Sequence, residues 1–210
     1  MGKITYCIID ETDPRDEFEC EGEVIRTFFS TSPKFDLKNS RAYIRPKRDI
    51  VNKLMNDSQS LLNIFHFSAH GAYHQRKKKE LDYSCIYRKR GNQWVEIFRP
   101  DTIVRVNLRA EVFLSTCCQT FNDYFIEIIF GYGGIANFIA PQNTPFIRDT
   151  TIFSLMFYNE LLNRITSSQK VMKPRAVIDS FKITNKAYKA YKGEGRFLLY
   201  NLLKKNKIYE

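Results

Sequence analysis

Ile64-Phe65-His66-Phe67-Ser68-Ala69-His70-Gly71 is an apolar run of strand length that ends in a histidine and a glycine. A second run of the same make, Val112-Phe113-Leu114-Ser115-Thr116-Cys117-Cys118, ends in cysteine. Both read as strands buried on two faces, the pattern of a parallel sheet covered by helices. In such sheets ligands and chemistry gather beyond the carboxyl ends of the strands. Parallel neighbours lie about 4.8 Å apart, so side chains at two adjacent strand ends can meet. If these two strands are neighbours, His70 and Cys117 form a nucleophilic dyad.

Working outward, the chain alternates strand and helix. Ile4 to Ile9 reads as a first strand. Glu21 to Phe29 follows, with Val24, Ile25, Phe28 and Phe29 on one helical stripe and an acidic start suited to a helix amino terminus. Ser40 to Ile44 is a short strand, and Pro46 opens a helix through Ile50, Val51, Leu54 and Met55. Leu61 to Ser68 is the third strand. The alternation then breaks: Tyr83–Tyr87 and Trp94–Phe98 flank a polar turn, which predicts a β-hairpin inserted at the sheet edge. Arg99 to Val106 is a short helix behind Pro100. Glu111 to Ser115 is the fourth parallel strand, Phe121 to Phe130 a helix stopped by Gly131–Gly134, and Ile135 to Ala140 a fifth strand. Arg148–Ile165 and Pro174–Tyr191 are helices, while Arg196–Leu203 stays ambiguous between helix and strand. The expectation is one domain over residues 1–210, an α/β three-layer sandwich whose mostly parallel sheet carries helices on both faces.

The bulk properties narrow the function classes. No run of about 18 apolar residues is present, so no membrane span is expected. Met1 to Asp10 lacks the apolar core and cleavage site of a signal peptide, which predicts a cytoplasmic protein. Cys7, Cys20, Cys85, Cys117 and Cys118 are odd in number and carry no Cys-x-x-Cys spacing, as expected of thiols in a reducing compartment. The net charge of +10 concentrates in Arg76–Lys79, Arg88–Arg90 and Lys204–Lys207. Solvated loops explain it, and so does attraction to a polyanion such as nucleic acid. No nucleic-acid-binding motif accompanies the charge.

A thiol beside an imidazole and just before a helix is what a cysteine nucleophile requires, since the helix dipole and a cationic neighbour favour thiolate. Cys117 precedes the Phe121–Phe130 helix, which Thr120 or Asn122 can cap. His70 would carry the proton to the leaving amine. Gly71 lets its backbone N–H approach a substrate carbonyl, and with the Cys117 N–H it would form an oxyanion hole. His66, His70 and His74 would share a face only on a helix. On a strand they do not gather a metal, so no metal or cofactor is expected, and His66 reads as a core histidine. Asp10, at the end of the first strand, either lines a substrate pocket or caps the following turn. Asp149 and Thr150 either cap the long helix or orient a site loop.

"FHFSAHG" followed by "VFLSTCCQT" resembles the catalytic segments of the caspase-like CHAT peptidases, relatives of caspases, metacaspases and separase. "GGIANFIAP", "DTTIFSLMFYNELL" and "KPRAVIDSFKITNKAY" are similar to that family's following strand and helices, so the resemblance runs in order from Ile64 to Tyr191. It implies a caspase-like fold and a cysteine endopeptidase, with His70 as base, Cys117 as nucleophile and Gly71 as oxyanion donor. The implied partners are a protein or peptide substrate and an activating protein or nucleotide signal. The Leu-Ser-x-Cys register selects Cys117 over Cys118 and turns Cys118 toward the core. Ser115 stands where members specific for Arg or Lys carry an acid, and Asn143–Ile147 replaces the family's "WxVxD" segment. Those departures predict a preference for a neutral or apolar residue before the cleaved bond, in a pocket near Asp10, Ser115 and Asp149, unless Asp10 or Asp149 turns inward to supply the acid. An idle caspase-like binding module and a basic nucleic-acid-binding or nucleotide-binding protein are the alternatives.

Overall fold

Burial alternates along the central strands and divides the apolar side chains between two cores. In β1 (Tyr6–Asp10), Tyr6 and Ile8 belong to one core, and Cys7 and Ile9 to the other. The division repeats in β3 (Leu62–Ser68), with Ile64 set against Phe65 and Phe67. In β7 (Arg109–Ser115), Val112 and Leu114 oppose Phe113, and in β8 (Gly134–Pro141), Ile139 opposes Phe138. The first core also takes in Ile25 and Phe29 of helix α1 (Glu21–Ser30), with Phe153, Phe157 and Leu161 of α3 (Ile147–Arg164). Val177 and Phe181 of α4 (Pro174–Ala190) join the same core. The second takes in Phe125 and Ile129 of α2 (Asp123–Tyr132). Helices therefore cover both faces, as the unbroken apolar runs require.

In this computed structural model the described residues are 3–12, 20–45, 61–74, 83–90, 93–98, 104–132, 134–165, 172–191, 193–202 and 208–209. Among them, residues 70, 72–74, 83–90, 93–98, 124, 130, 132 and 208–209 are described through their backbone. The helix expected behind Pro46, the start of the one expected behind Pro100, and the basic runs 76–79 and 204–207 lie outside the described residues.

The main sheet has seven strands in the order β10-β9-β8-β7-β3-β1-β2, where β2 is Arg41–Ile44, β9 is Phe197–Asn201 and β10 is Ile208–Tyr209. From β2 to β8 all pairings are parallel, and β9 and β10 add antiparallel edges. The decisive pairing is β3 with β7, in register from Leu62 opposite Ala110 to Phe67 opposite Ser115. The two strands chosen from the sequence are indeed neighbours. Sequence order reverses between β1 and β3, the kind of point at which open α/β sheets place their sites.

The hairpin differs from its expectation. Its strands run longer, as β5 (Tyr83–Arg90) and β6 (Gln93–Phe98), with a bulge at Ile86/Tyr87. They do not extend the main sheet. Instead β4 (His70–His74), which follows β3 after the single residue Ala69, pairs with β5 to make a separate three-stranded antiparallel sheet. A five-residue strand of mixed polarity leaves no periodicity to read, and its pairing partner begins further along the sequence, beyond residues 75–82.

Caps and aromatic stacks fix the helices. Asn122 Oδ1 accepts the Phe125 N–H at 2.9 Å and so caps α2. On that face Phe121 and Phe125 lie parallel to Phe138 at centroid distances of 5.9 and 5.4 Å. On the other, Phe153 stacks on Phe197 at 3.8 Å, which ties α3 to β9. Each such buried ring stabilises the fold by about 2–3 kcal/mol.

Candidate active site

Beyond Ser115 the β3–β7 ladder persists for one more bond, from the Thr116 N–H to the Phe67 carbonyl at 3.0 Å. This carries the turn after β7 alongside the chain that becomes β4. Gly71 and Cys118 meet there. A Cβ at Gly71 would overlap the Cys118 backbone, 2.7 Å from its nitrogen, so only glycine fits. Burial raises the Cys118 thiol's pKa, and the Gly71 and Cys118 N–H groups beside it oppose the rise. Cys118 is partly exposed.

Cys117 has the opposite setting. It is fully buried within the second core, and its thiol faces the Phe67 carbonyl at 3.8 Å. Burial first, with Cys118 and Glu21 adding, pushes its pKa up, against hydrogen bonds from Ser115 and the Ala69 N–H. Its own N–H points to Ser115 Oγ at 3.3 Å. The burial is the reverse of the expectation that Cys117 faces the site and Cys118 the core: Cys117 is sealed and Cys118 is partly exposed. The oxyanion donor expected of the Cys117 N–H is likewise engaged by Ser115. His70 opens β4 through its backbone pairing with Tyr87, and its ring lies outside the described residues.

The expected pocket residues are turned inward as well. Asp10 is fully buried. Its Oδ1 accepts the Thr12 N–H at 2.8 Å and the Thr12 hydroxyl at 2.5 Å, and its Oδ2 accepts the Cys20 thiol at 2.8 Å and the Gly22 N–H at 2.5 Å. It caps α1 from the end of β1 and has no oxygen left for a substrate. Ser115 is fully buried and shares a hydrogen bond with Thr120 at 3.0 Å. Asp149 is 3% exposed and makes no cap at α3; its Oδ2 accepts the Glu194 N–H at 3.3 Å from the segment before β9.

A buried polar cluster under this edge was not foreseen. Glu21, the first residue of α1, is 1% exposed. Its Oε2 accepts the hydroxyls of Thr116 at 2.7 Å, Ser68 at 2.8 Å and Thr150 at 3.3 Å, and its Oε1 accepts Ser154 at 3.0 Å. Desolvation, with Asp10 adding, outweighs the Thr116, Ser68 and Ser154 bonds and pushes the carboxyl up to about 7. His66 lies beside it, with Nε2 3.7 Å from Oε1, 3.0 Å from Ser68 Oγ, and Nδ1 2.9 Å from the Tyr158 hydroxyl. Burial pushes His66 down to about 4, so it is the satisfied core histidine that the strand pattern suggests. In sequence, Glu21 reads as a helix-start acid, and nothing local distinguishes it from Glu23, which pairs with Arg26 at the surface at 2.9 Å.

No family model and no curated protein matches this chain. The chemistry of the site therefore rests on its own residues. Among the described residues no group of three or more His, Cys, Asp or Glu side chains could hold a metal ion. Likewise, no helix among them is long and apolar enough to cross a membrane. What the edge offers is a partly exposed cysteine, the Gly71 N–H seated beside it, and a histidine one residue before that N–H.

Proposed function

We propose that the chain is a cysteine peptidase of caspase-like architecture, with Cys118 as nucleophile and His70 as its proton carrier. The observation that carries the reading is the seating of Gly71 on Cys118. It brings the end of the histidine-bearing segment against an accessible thiol and supplies an N–H that favours thiolate. The parallel β2-β1-β3-β7-β8 arrangement with helices on both faces supports the caspase-like assignment and the three-layer sandwich. Cys117, which the family register favours, is the weaker candidate because a nucleophile must reach its substrate and this sulfur is sealed in the core.

In the proposed reaction the Cys118 thiolate attacks a peptide carbonyl and a C–S bond forms. The C–N bond breaks as His70 protonates the departing amine. Water then attacks the thioester, giving a proton back to His70. The C–S bond breaks, releasing the acid and regenerating the thiolate. The Gly71 N–H, displaced from sulfur as the bond forms, is available to the carbonyl oxygen.

A peptide-based electrophile tests the proposal, with the labelled residue mapped by mass spectrometry. Labelling of Cys118 that falls sharply in His70→Ala and persists in Cys117→Ala is expected. Labelling of Cys117 that persists in Cys118→Ala would overturn the choice of thiol. Absence of labelling at either would overturn the peptidase.

A further inference from the structure

We infer that Glu21 is the positioning residue of this site, gathering the cysteine-bearing turn and the histidine-bearing segment onto one buried carboxyl. The inference rests on the proposed role of Cys118. Thr116 stands two residues before Cys118 and Ser68 two residues before His70. Both donate to the same oxygen, Glu21 Oε2, at 2.7 and 2.8 Å, and their hydroxyls lie 3.0 Å from each other. Glu21 also reaches across to α3 through Thr150 and Ser154, so β3, β7, α1 and α3 converge on it.

The arrangement is costly as mere packing. A carboxyl with no cationic partner beside it among the described residues is buried at the carboxyl edge of the sheet, where an apolar side chain would stabilise more. Among the described residues the titratable groups that face it are Asp10 from β1, His66 from β3, Cys117 after β7 and Tyr158 from α3. None carries a positive charge near neutral pH, since His66 is held neutral. What the carboxyl gains is geometric: two hydroxyls on separate strands are drawn to one point. The strand ends beyond them are thereby set in fixed register, and Gly71 is held on Cys118.

Two substitutions that each remove one hydrogen bond from Glu21 separate positioning from packing. Thr116→Val removes the bond on the cysteine side with little change of shape, and Ser154→Ala removes one on the α3 side, away from the thiol. The rate of Cys118 alkylation by iodoacetamide is read in the full chain by mass spectrometry, beside kcat and KM on a cleavable peptide and the urea unfolding midpoint. Thr116→Val is expected to slow alkylation by about tenfold and kcat by about 100-fold with KM within a few-fold, the scale set by an ångström of misplacement. Ser154→Ala is expected to leave both rates within about twofold of wild type. Thr116→Ser, which restores the hydroxyl, should recover most of the lost rate. Equal effects of Thr116→Val and Ser154→Ala, tracking the unfolding midpoint, would overturn the inference and leave the peptidase standing. If wild type alkylates at Cys118 with the expected contrast but cleaves no peptide, the peptidase falls and the positioning of the thiol stands.

Discussion

Replacing Cys118 by Ala is expected to lower peptide cleavage by about 1,000-fold or more, as removal of a nucleophile does. Cys117→Ala should keep most activity while costing about 1–2 kcal/mol of stability through the small cavity it leaves. Steady-state kinetics and urea unfolding of both variants decide between the two thiols. Gln119, next in the chain, holds a left-handed backbone with φ of 56°. Gln119→Val should therefore destabilise by about 1–2 kcal/mol, and Gln119→Gly should be close to neutral because relieved strain offsets the added freedom of the unfolded chain. Unfolding midpoints that rank the two the other way would show that the turn tolerates a branched side chain. Specificity belongs to the same scale. A basic side chain in a partly dry pocket needs a carboxylate partner, and Asp10 and Asp149 are committed to the chain's own N–H groups while Ser115 is sealed. Cleavage of a mixed peptide library should accordingly favour a neutral or apolar residue before the scissile bond. A dominant Arg or Lys would show that an acid other than Asp10 and Asp149 lines the pocket.

Elements meet through a few polar ties whose loss can be measured. Lys34 Nζ donates to the Leu162 carbonyl and, at 3.1 Å, to that of Ile165, closing the carboxyl end of α3. Lys34→Met keeps the side-chain stem and removes both bonds, so a loss of about 1–2 kcal/mol is expected in urea unfolding. The long helices were legible in the sequence because each carries a helical period, as Ile25 and Phe29 do on α1, and β3, β7 and β8 because they are apolar runs of strand length with a clear stop. Strand β9 was not, since Phe197-Leu198-Leu199-Tyr200 has no period and runs on through Asn201-Leu202-Leu203 without a turn signal to separate strand from helix. Strand β4 was not, because its pairing depends on a partner that starts only at Tyr83. The relative burial of Cys117 and Cys118 was misread for a different reason. Strand alternation does not carry across them, because beyond the end of β7 the chain bends at Cys117 and turns at Cys118 and Gln119. Glu21 escaped notice because its four hydroxyl donors come from three other elements, β3, α3 and the turn after β7.

Across the whole molecule, pH acts through the same buried pair. Glu21, raised from 4.5 to about 7, contributes stability that is fully present below 4.5 and is lost as pH rises toward 7. His66, lowered from 6.5 to about 4, contributes stability that is present above 6.5 and is lost as pH falls toward 4. Each amounts to about 3 kcal/mol across its window, and the two slopes have opposite sign. Glu21→Gln should thus unmask the His66 slope. Stability of this variant should rise by about 3 kcal/mol relative to wild type between pH 4.5 and 6.5, measured as the difference in urea unfolding energies at each pH. A difference that does not change with pH would show that the carboxyl titrates as in water. Counted in protons, the unfolded chain near pH 5.5 holds one on His66 and none on Glu21, and the folded chain holds one on Glu21 and none on His66. Folding takes up no proton and releases none at this pair. It moves a single proton from imidazole to carboxylate, and so converts two ions in water into two neutral groups in the core.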